Sequence, residues 1–181
     1  EEVRRSAVTL KALCYRPTGA IIAAATMSLP EDIGGVRNWD YRYCWLRDAA
    51  LTTASLVRVG SHSEAMAYLD WLLGVVEMRE GAENLQPLYN VSGKHLGPEA
   101  EISDLSGFRG SQPVRINNGA DTQVQLDVFG PIVDLIHLLS VRGEALATKH
   151  WDLVKDLVHA VKLRWKEADC GIWEIRSSLR H

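Results

Sequence analysis

The chain has 181 residues, 46% of them hydrophobic and 24% charged, with 20 Lys and Arg against 23 Asp and Glu for a formal net charge of -3. This composition fits one ordinary globular domain and excludes a disordered chain, a collagen and a disulfide scaffold. The near-balanced charge provides no overall pull toward nucleic acid phosphates or anionic lipid, so neither is expected as a partner.

The chain opens Glu-Glu-Val-Arg-Arg with no initiator Met and no apolar signal core, which suits an internal piece of something longer. Val3, Ala7, Leu10 and Leu13 recur at three and four, predicting an amphipathic helix ended by the turn Arg16-Pro17-Thr18-Gly19. The longest nearly apolar stretch, Ala20 to Leu29, is ten residues, well short of the roughly 18 to 20 needed to cross a bilayer. No membrane helix is expected. A second helix is predicted from Asp48 through Leu51, Leu56 and Val59, with Gly60 as its stop.

Ser61 with Glu64 has the form of a capping box, followed by the stripe Ala65, Tyr68, Leu69, Leu72, Val75 and Val76 of a third helix that ends before Gly81. Periodicity then fails from Gly81 to Gly119. Glycines and prolines there predict a long ordered loop with short strands around Leu88 to Val91, and a loop of that length inside a domain is usually functional. Helical spacing returns from Thr122 to Ser140 and from Leu146 to Trp165, giving five helices, no central sheet and no solenoid period. An irregular α/α array follows.

Three separated cysteines, Cys14, Cys44 and Cys170, without a CxxC pair suggest reduced thiols and a cytoplasmic location. The six histidines form no HxH or HExxH spacing, so they read as surface residues and no metal or cofactor is expected. Chemistry concentrates in two blocks. Asn38-Trp39-Asp40-Tyr41-Arg42-Tyr43-Cys44-Trp45-Leu46-Arg47-Asp48 alternates aromatic rings with charges. Rings cover the apolar faces of a pyranose while charged groups bind its hydroxyls, so the pattern suits a sugar site. The competing reading makes Asp48 a helix N-cap and the rings core filler. In Gly171-Ile172-Trp173-Glu174-Ile175-Arg176, a Glu wedged between Trp173 and Ile175 could be desolvated and kept protonated, ready to donate to a leaving oxygen. Gln125 and Asp127 sit at the expected start of the fourth helix; i and i+2 do not share a helix face, so one could point inward while the other supports a loop.

In chain order, Ser28-Leu29-Pro30-Glu31, the Asn38 to Asp48 block, Leu105-Ser106-Gly107-Phe108-Arg109-Gly110-Ser111, Gln125-Leu126-Asp127 and the Gly171 to Arg176 block together resemble glycoside hydrolase family 15. That family contains glucoamylases, glucodextranases and bacterial trehalases, the last being most similar in wording. The resemblance implies an all-α fold, an (α/α)6 barrel present here only in part. It also implies inverting hydrolysis of a terminal α-linked glucose, one acid protonating the glycosidic oxygen and a second carboxylate, roughly 6.5 to 9.5 Å away, activating water. By resemblance Glu174 is the general acid. Arg47 and Asp48 grip the outer hydroxyls of the glucose, Trp45 and Trp173 contribute to the substrate site, and Gln125 and Asp127 are loop-supporting or sugar-lining.

The family's general base belongs beyond His181, so residues 1–181 read as the N-terminal half of a catalytic domain, inactive alone, its apolar flanks, expected on the third-helix stripe and the Thr122 to Ser140 run, awaiting the rest of the barrel or another chain. Ile175 stands where fungal glucoamylases have a second acid, which implies different contacts to the leaving sugar. The expected substrate is an α-glucoside such as trehalose or a malto-oligosaccharide. The alternative is a non-catalytic α/α fragment used for binding or assembly.

Overall fold

Five α-helices and two small strand pairs organise the computed structural model, which describes residues 1–174 and 176. Ile175 and His181 lie outside the described residues. The order is α1 (Glu2–Ala12), β1 (Cys44–Trp45), α2 (Leu46–Arg58), α3 (Ser63–Met78), β2 (Leu88–Tyr89), β3 (Ala100–Glu101), β4 (Arg115–Ile116), α4 (Phe129–Val141) and α5 (Thr148–Arg164). No helix among the described residues is long and apolar enough to cross a membrane.

The α2–α3 hairpin turns at Gly60, whose φ of 90° suits a residue without Cβ. Gly60 N donates to Val57 O at 3.0 Å and Ser61 N to Leu56 O at 2.9 Å, the paired bonds that close a helix C-terminus. The stripe on α3 is buried as its spacing requires, and Tyr68, fully buried, donates its hydroxyl to Leu46 O at 2.8 Å. Helix α2 packs against both α3 and α4, while α5 packs on α4 and on the 3-10 turn Ala82–Asn84 that follows α3. Two consecutive hairpins thus stand side by side, the repeating contact of an (α/α)6 barrel, and the core runs through Leu46, Leu69, Leu72, Phe129, Ile132, Leu135 and Leu157.

Several elements differ from their sequence expectation. Helix α2 begins at Leu46, two residues before Asp48, with Trp45 at its N-cap. Helix α3 begins at Ser63 after an N-cap at His62, and Ser61 donates to the Glu64 carboxylate at 2.9 Å instead of capping the backbone. Lys11 joins that carboxylate at 2.7 Å. Burial works against its charge, but the Lys11 and serine donors prevail and hold Glu64 down to about 2.

The fourth helix begins at Phe129, not Thr122, which leaves Gln125 extended and Leu126 and Asp127 in a 3-10 turn ahead of it. Pro131 explains the shift: a helix continuing back through Asp127 would drive the proline ring into the Asp127 carbonyl, whereas within the first turn its missing N–H costs nothing. His150 is a further correction. It is buried, and its Nδ1 accepts from Ala147 N at 3.0 Å at the start of α5.

The unpartnered apolar surface also lies elsewhere than expected. The α3 and α4 stripes are covered, whereas α1 exposes Val3 and Val8, and α5 exposes Trp151, Val158, Val161 and Leu163. Helix α4 lies between α2 and α5, and α3 is covered by α2 and by the loop that follows it, where Trp71 donates to Val91 O at 3.1 Å, whereas α1 packs mainly on α2 and α5 mainly on α4 and the Ala82–Asn84 turn.

Candidate active site

Backbone bonds lay the aromatic block against the apolar stretch that precedes it: Ala23 N donates to Tyr43 O, Ala24 N to Tyr41 O and Ser28 N to Trp39 O, at 2.8–3.0 Å. Asp40 organises the turn between them. Fully buried, its carboxylate accepts from Arg42 Nε at 2.9 Å, Arg42 Nη2 at 2.8 Å, Tyr43 OH at 3.0 Å and Asn117 N at 3.2 Å. Burial pushes the Asp40 pKa up, but the Arg42 and Tyr43 donors outweigh it and hold the group below the usual carboxylate range. Asp40 is therefore a structural carboxylate.

Strand β1 then pairs with β2, Trp45 opposite Leu88, which seats the indole immediately before α2. Arg47 and Asp48 follow in the first turn of α2. Asp48 makes no cap bond; its carboxylate lies 3.1 Å from Arg47 Nη2. The reading of Asp48 as a helix N-cap therefore does not hold.

These side chains line a cavity of about 800 Å³ whose other described walls include Glu31, Arg37, Trp39, Tyr41, Asn118, Trp173, Glu174 and Arg176. Glu174, from a segment 129 positions beyond Trp45, accepts a hydrogen bond at Oε1 from the Trp45 indole N–H. Arg47 Nη2 approaches the same oxygen at 3.6 Å. Burial opposes the Arg47 charge, but Asp48, Asp127 and Glu174 more than offset it and raise the guanidinium pKa.

Asp127 and Gln125 both face Arg47 Nη1, with Asp127 Oδ2 at 2.9 Å and Gln125 Oε1 at 3.3 Å. Neither is among the described cavity-lining residues. Their geometry is that of side chains orienting Arg47 from behind. They act together because the segment ahead of α4 is not a regular helix, so helical face rules do not separate them.

Trp173 lines the cavity but is 86% exposed, so it does not cover Glu174 as the wedge reading requires. Ile175, the other expected cover, lies outside the described residues. Three residues not singled out from the sequence join the site. Tyr41 packs its ring 5.7 Å from that of Trp45, and Trp39 lies beneath Arg176 at 3.7 Å. All three lie inside the two blocks, which was the available signal. Among the described residues no group of three or more His, Cys, Asp or Glu side chains could hold a metal ion.

The placement of Asp48 makes a prediction. On the hydroxyl-gripping role that the family resemblance implies for Asp48, Asp48→Asn in a complete protein is expected to cut turnover strongly through loss of charge-assisted bonds. Stability should shift by no more than about 1 kcal/mol, the scale of a first-turn acid on the helix dipole. Kinetics and a denaturant melt on one preparation check it, and intact activity with a large stability loss is the contrary result.

The family model described as glycosyl hydrolases family 15 matches residues 1–181. The trehalase of Thermoplasma acidophilum is 42% identical over 175 residues, covering 97% of this chain and 29% of its own length. The trehalase of Mycolicibacterium smegmatis is 41% identical over 180 residues, covering 99% of this chain and 27% of its own. The chain thus spans less than a third of either relative. A solved wild-type glycosidase superposes with a TM-score of 0.67 at 20% identity, covering 99% of this chain and 44% of that one, a likeness of fold.

Proposed function

The chain belongs to glycosyl hydrolases family 15, and on that premise we propose that a complete protein carrying it is an inverting glycosidase acting on a terminal α-linked glucose, with trehalose the leading substrate. Residues 1–181 would be the N-terminal half of its catalytic domain. The observation that carries this reading is the meeting of Trp45, Arg47, Asp48 and Glu174 around one cavity. A module evolved only for binding or assembly has no need of an acid beside a hydroxyl clamp, so that alternative is not favoured.

In this mechanism the glucose to be released sits against Trp45, with its outer hydroxyls held by the Asp48 carboxylate and the Arg47 fork. Glu174 gives its proton to the glycosidic oxygen as that bond breaks. The Trp45 N–H and Arg47, both at Glu174 Oε1, fix the carboxyl so that its other oxygen faces the sugar. Gln125 and Asp127 hold Arg47 in register. A second carboxylate, supplied from outside this chain, takes a proton from water attacking the opposite face of the anomeric carbon. Trehalose is preferred because relatives named trehalase align over nearly the whole chain. The free thiols Cys14, Cys44 and Cys170 suit a reducing compartment, and we assign the protein to the cytoplasm on that basis.

The test follows product anomers by NMR with trehalose, maltose and isomaltose. Inversion at one carbon of trehalose releases one β-glucose and one α-glucose, so equal amounts of both are expected before mutarotation. The 181-residue chain alone should release none. Release of α-glucose only would mean retention and would overturn the mechanism, and no hydrolysis of any of the three by the complete protein would overturn the function.

A further inference from the structure

Glu174 occupies a conformation that its own segment does not favour. Its φ is 52°, in the left-handed region uncommon for a residue with a side chain. Such a backbone persists only where the surroundings over-determine it. Upstream the segment is tied by Asp169, whose Oδ1 accepts from Gly171 N at 2.6 Å and whose Oδ2 accepts from Leu126 N at 2.8 Å. Cys170 N adds a bond to Val124 O at 2.9 Å.

The downstream tie is Arg176, two residues after Glu174. Its Nη1 donates to both oxygens of Glu99, at 2.8 and 2.9 Å, and its Nη2 donates to Asn118 Oδ1 at 3.0 Å. Its guanidinium carbon lies 3.7 Å from the Trp39 ring centroid, within the range of a cation–π contact. Glu99 is itself anchored: its Oε2 accepts from Gly119 N at 3.0 Å, Arg115 Nε lies 3.6 Å from its Oε1, and β3 begins at the next residue. Arg115 in turn lies 4.5 Å from the same Trp39 ring. Glu99 is not among the described residues lining the cavity.

We infer that Glu99 is a positioning residue which, through Arg176 and the Trp39 ring, clamps the segment carrying Glu174 and so sets where its carboxyl stands over the substrate. The inference rests on the reading of Glu174 as the general acid. It also gives the long loop a task, since the loop delivers Glu99, Arg115 and Asn118 to one side of the acid. Arg176 has its guanidinium committed to Glu99, Asn118 and Trp39, so its contribution is to placement and not to holding a sugar.

A misplaced acid lowers turnover more than binding, and a displacement of about 1 Å can cost on the order of 10²-fold. In the full-length protein on trehalose, Glu99→Ala is therefore expected to lower kcat about ten- to hundredfold while KM moves less than about threefold. Glu99→Gln keeps an oxygen that can accept from Arg176 and should recover most of the loss; it also carries the test if the Ala variant fails to fold. Hydrogen exchange supplies a readout independent of chemistry. The hydrogen-bonded amides of Gly171 and Glu174 should exchange faster in Glu99→Ala while those of α2 and α4 do not change.

Unchanged kcat, or a raised KM with kcat intact, would overturn the positioning role and point to Arg176 binding sugar directly. Unchanged exchange at Gly171 and Glu174 would overturn the clamp itself. If the wild-type protein hydrolyses no α-glucoside, the proposed function fails on its own, and the exchange experiment still decides whether Glu99 holds this segment.

Discussion

Glu174→Gln in the complete protein is expected to lower kcat on trehalose by about 10² to 10⁴ with a much smaller change in KM. The substitution keeps the shape of the side chain and leaves an oxygen to accept from the Trp45 indole and to face Arg47, the two contacts that orient Glu174. It removes only the proton that, in the proposed mechanism, passes to the departing sugar oxygen. Ground-state binding, which the proposed function assigns to Trp45, Arg47 and Asp48, should therefore persist. Steady-state kinetics on trehalose, with a melt to show that the fold is intact, check this. Near-normal kcat would remove Glu174 from the chemistry.

Arg47→Met is expected to damage stability and activity together. Arg47 is 8% exposed and stands among three acids, with Asp127 at 2.9 Å, Asp48 at 3.1 Å and Glu174 at 3.6 Å. Methionine fills the space of the stem but leaves these carboxylates without their shared cation. Breaking a fully buried ion pair from one side costs about 3 kcal/mol or more, and with Asp127 30% and Asp48 48% exposed the loss here should be smaller, about 1 to 3 kcal/mol.

Asp127 should suffer most. Its Oδ1 is buried with no hydrogen-bond partner among the described residues, and Arg47 holds its Oδ2. Adding Asp127→Asn to Arg47→Met should accordingly restore part of the stability, since it removes one orphaned charge, while activity stays lost. Chemical denaturation of the two variants checks this. A wild-type midpoint for Arg47→Met would mean that the cluster does not depend on its cation.

Much of this arrangement was legible along the chain. The apolar spacing of α3 appears intact as a buried face, Gly60 closes α2, and the five ordered blocks identified the family before any contact was known. The start of α4 was legible as well, had Gly130-Pro131 been weighed against the apolar period: a proline tolerated in a first turn forbids the helix from reaching back to Thr122. The histidines illustrate the opposite case, since nothing local marks His150 as buried and accepting from the start of its own helix.

The sequence by itself determined the helical elements, the family and the residue types at the site, because periodicity, turn residues and block order are properties of neighbours along the chain. Tertiary structure alone decided which of those residues meet. Trp45 donates to an oxygen 129 positions away, Arg47 gathers acids from α2, from the segment ahead of α4 and from the Glu174 turn, and Arg176 closes on Glu99 and Trp39. It also left Val3 and Val8 of α1 and a second apolar face of α5, opposite its buried Leu153 and Leu157, turned outward while covering the stripes of α3 and α4. The reason is physical: an amphipathic pattern states that a face seeks cover but not which element supplies it, and a charged side chain carries no local mark of the partner that packing will bring within 3 Å.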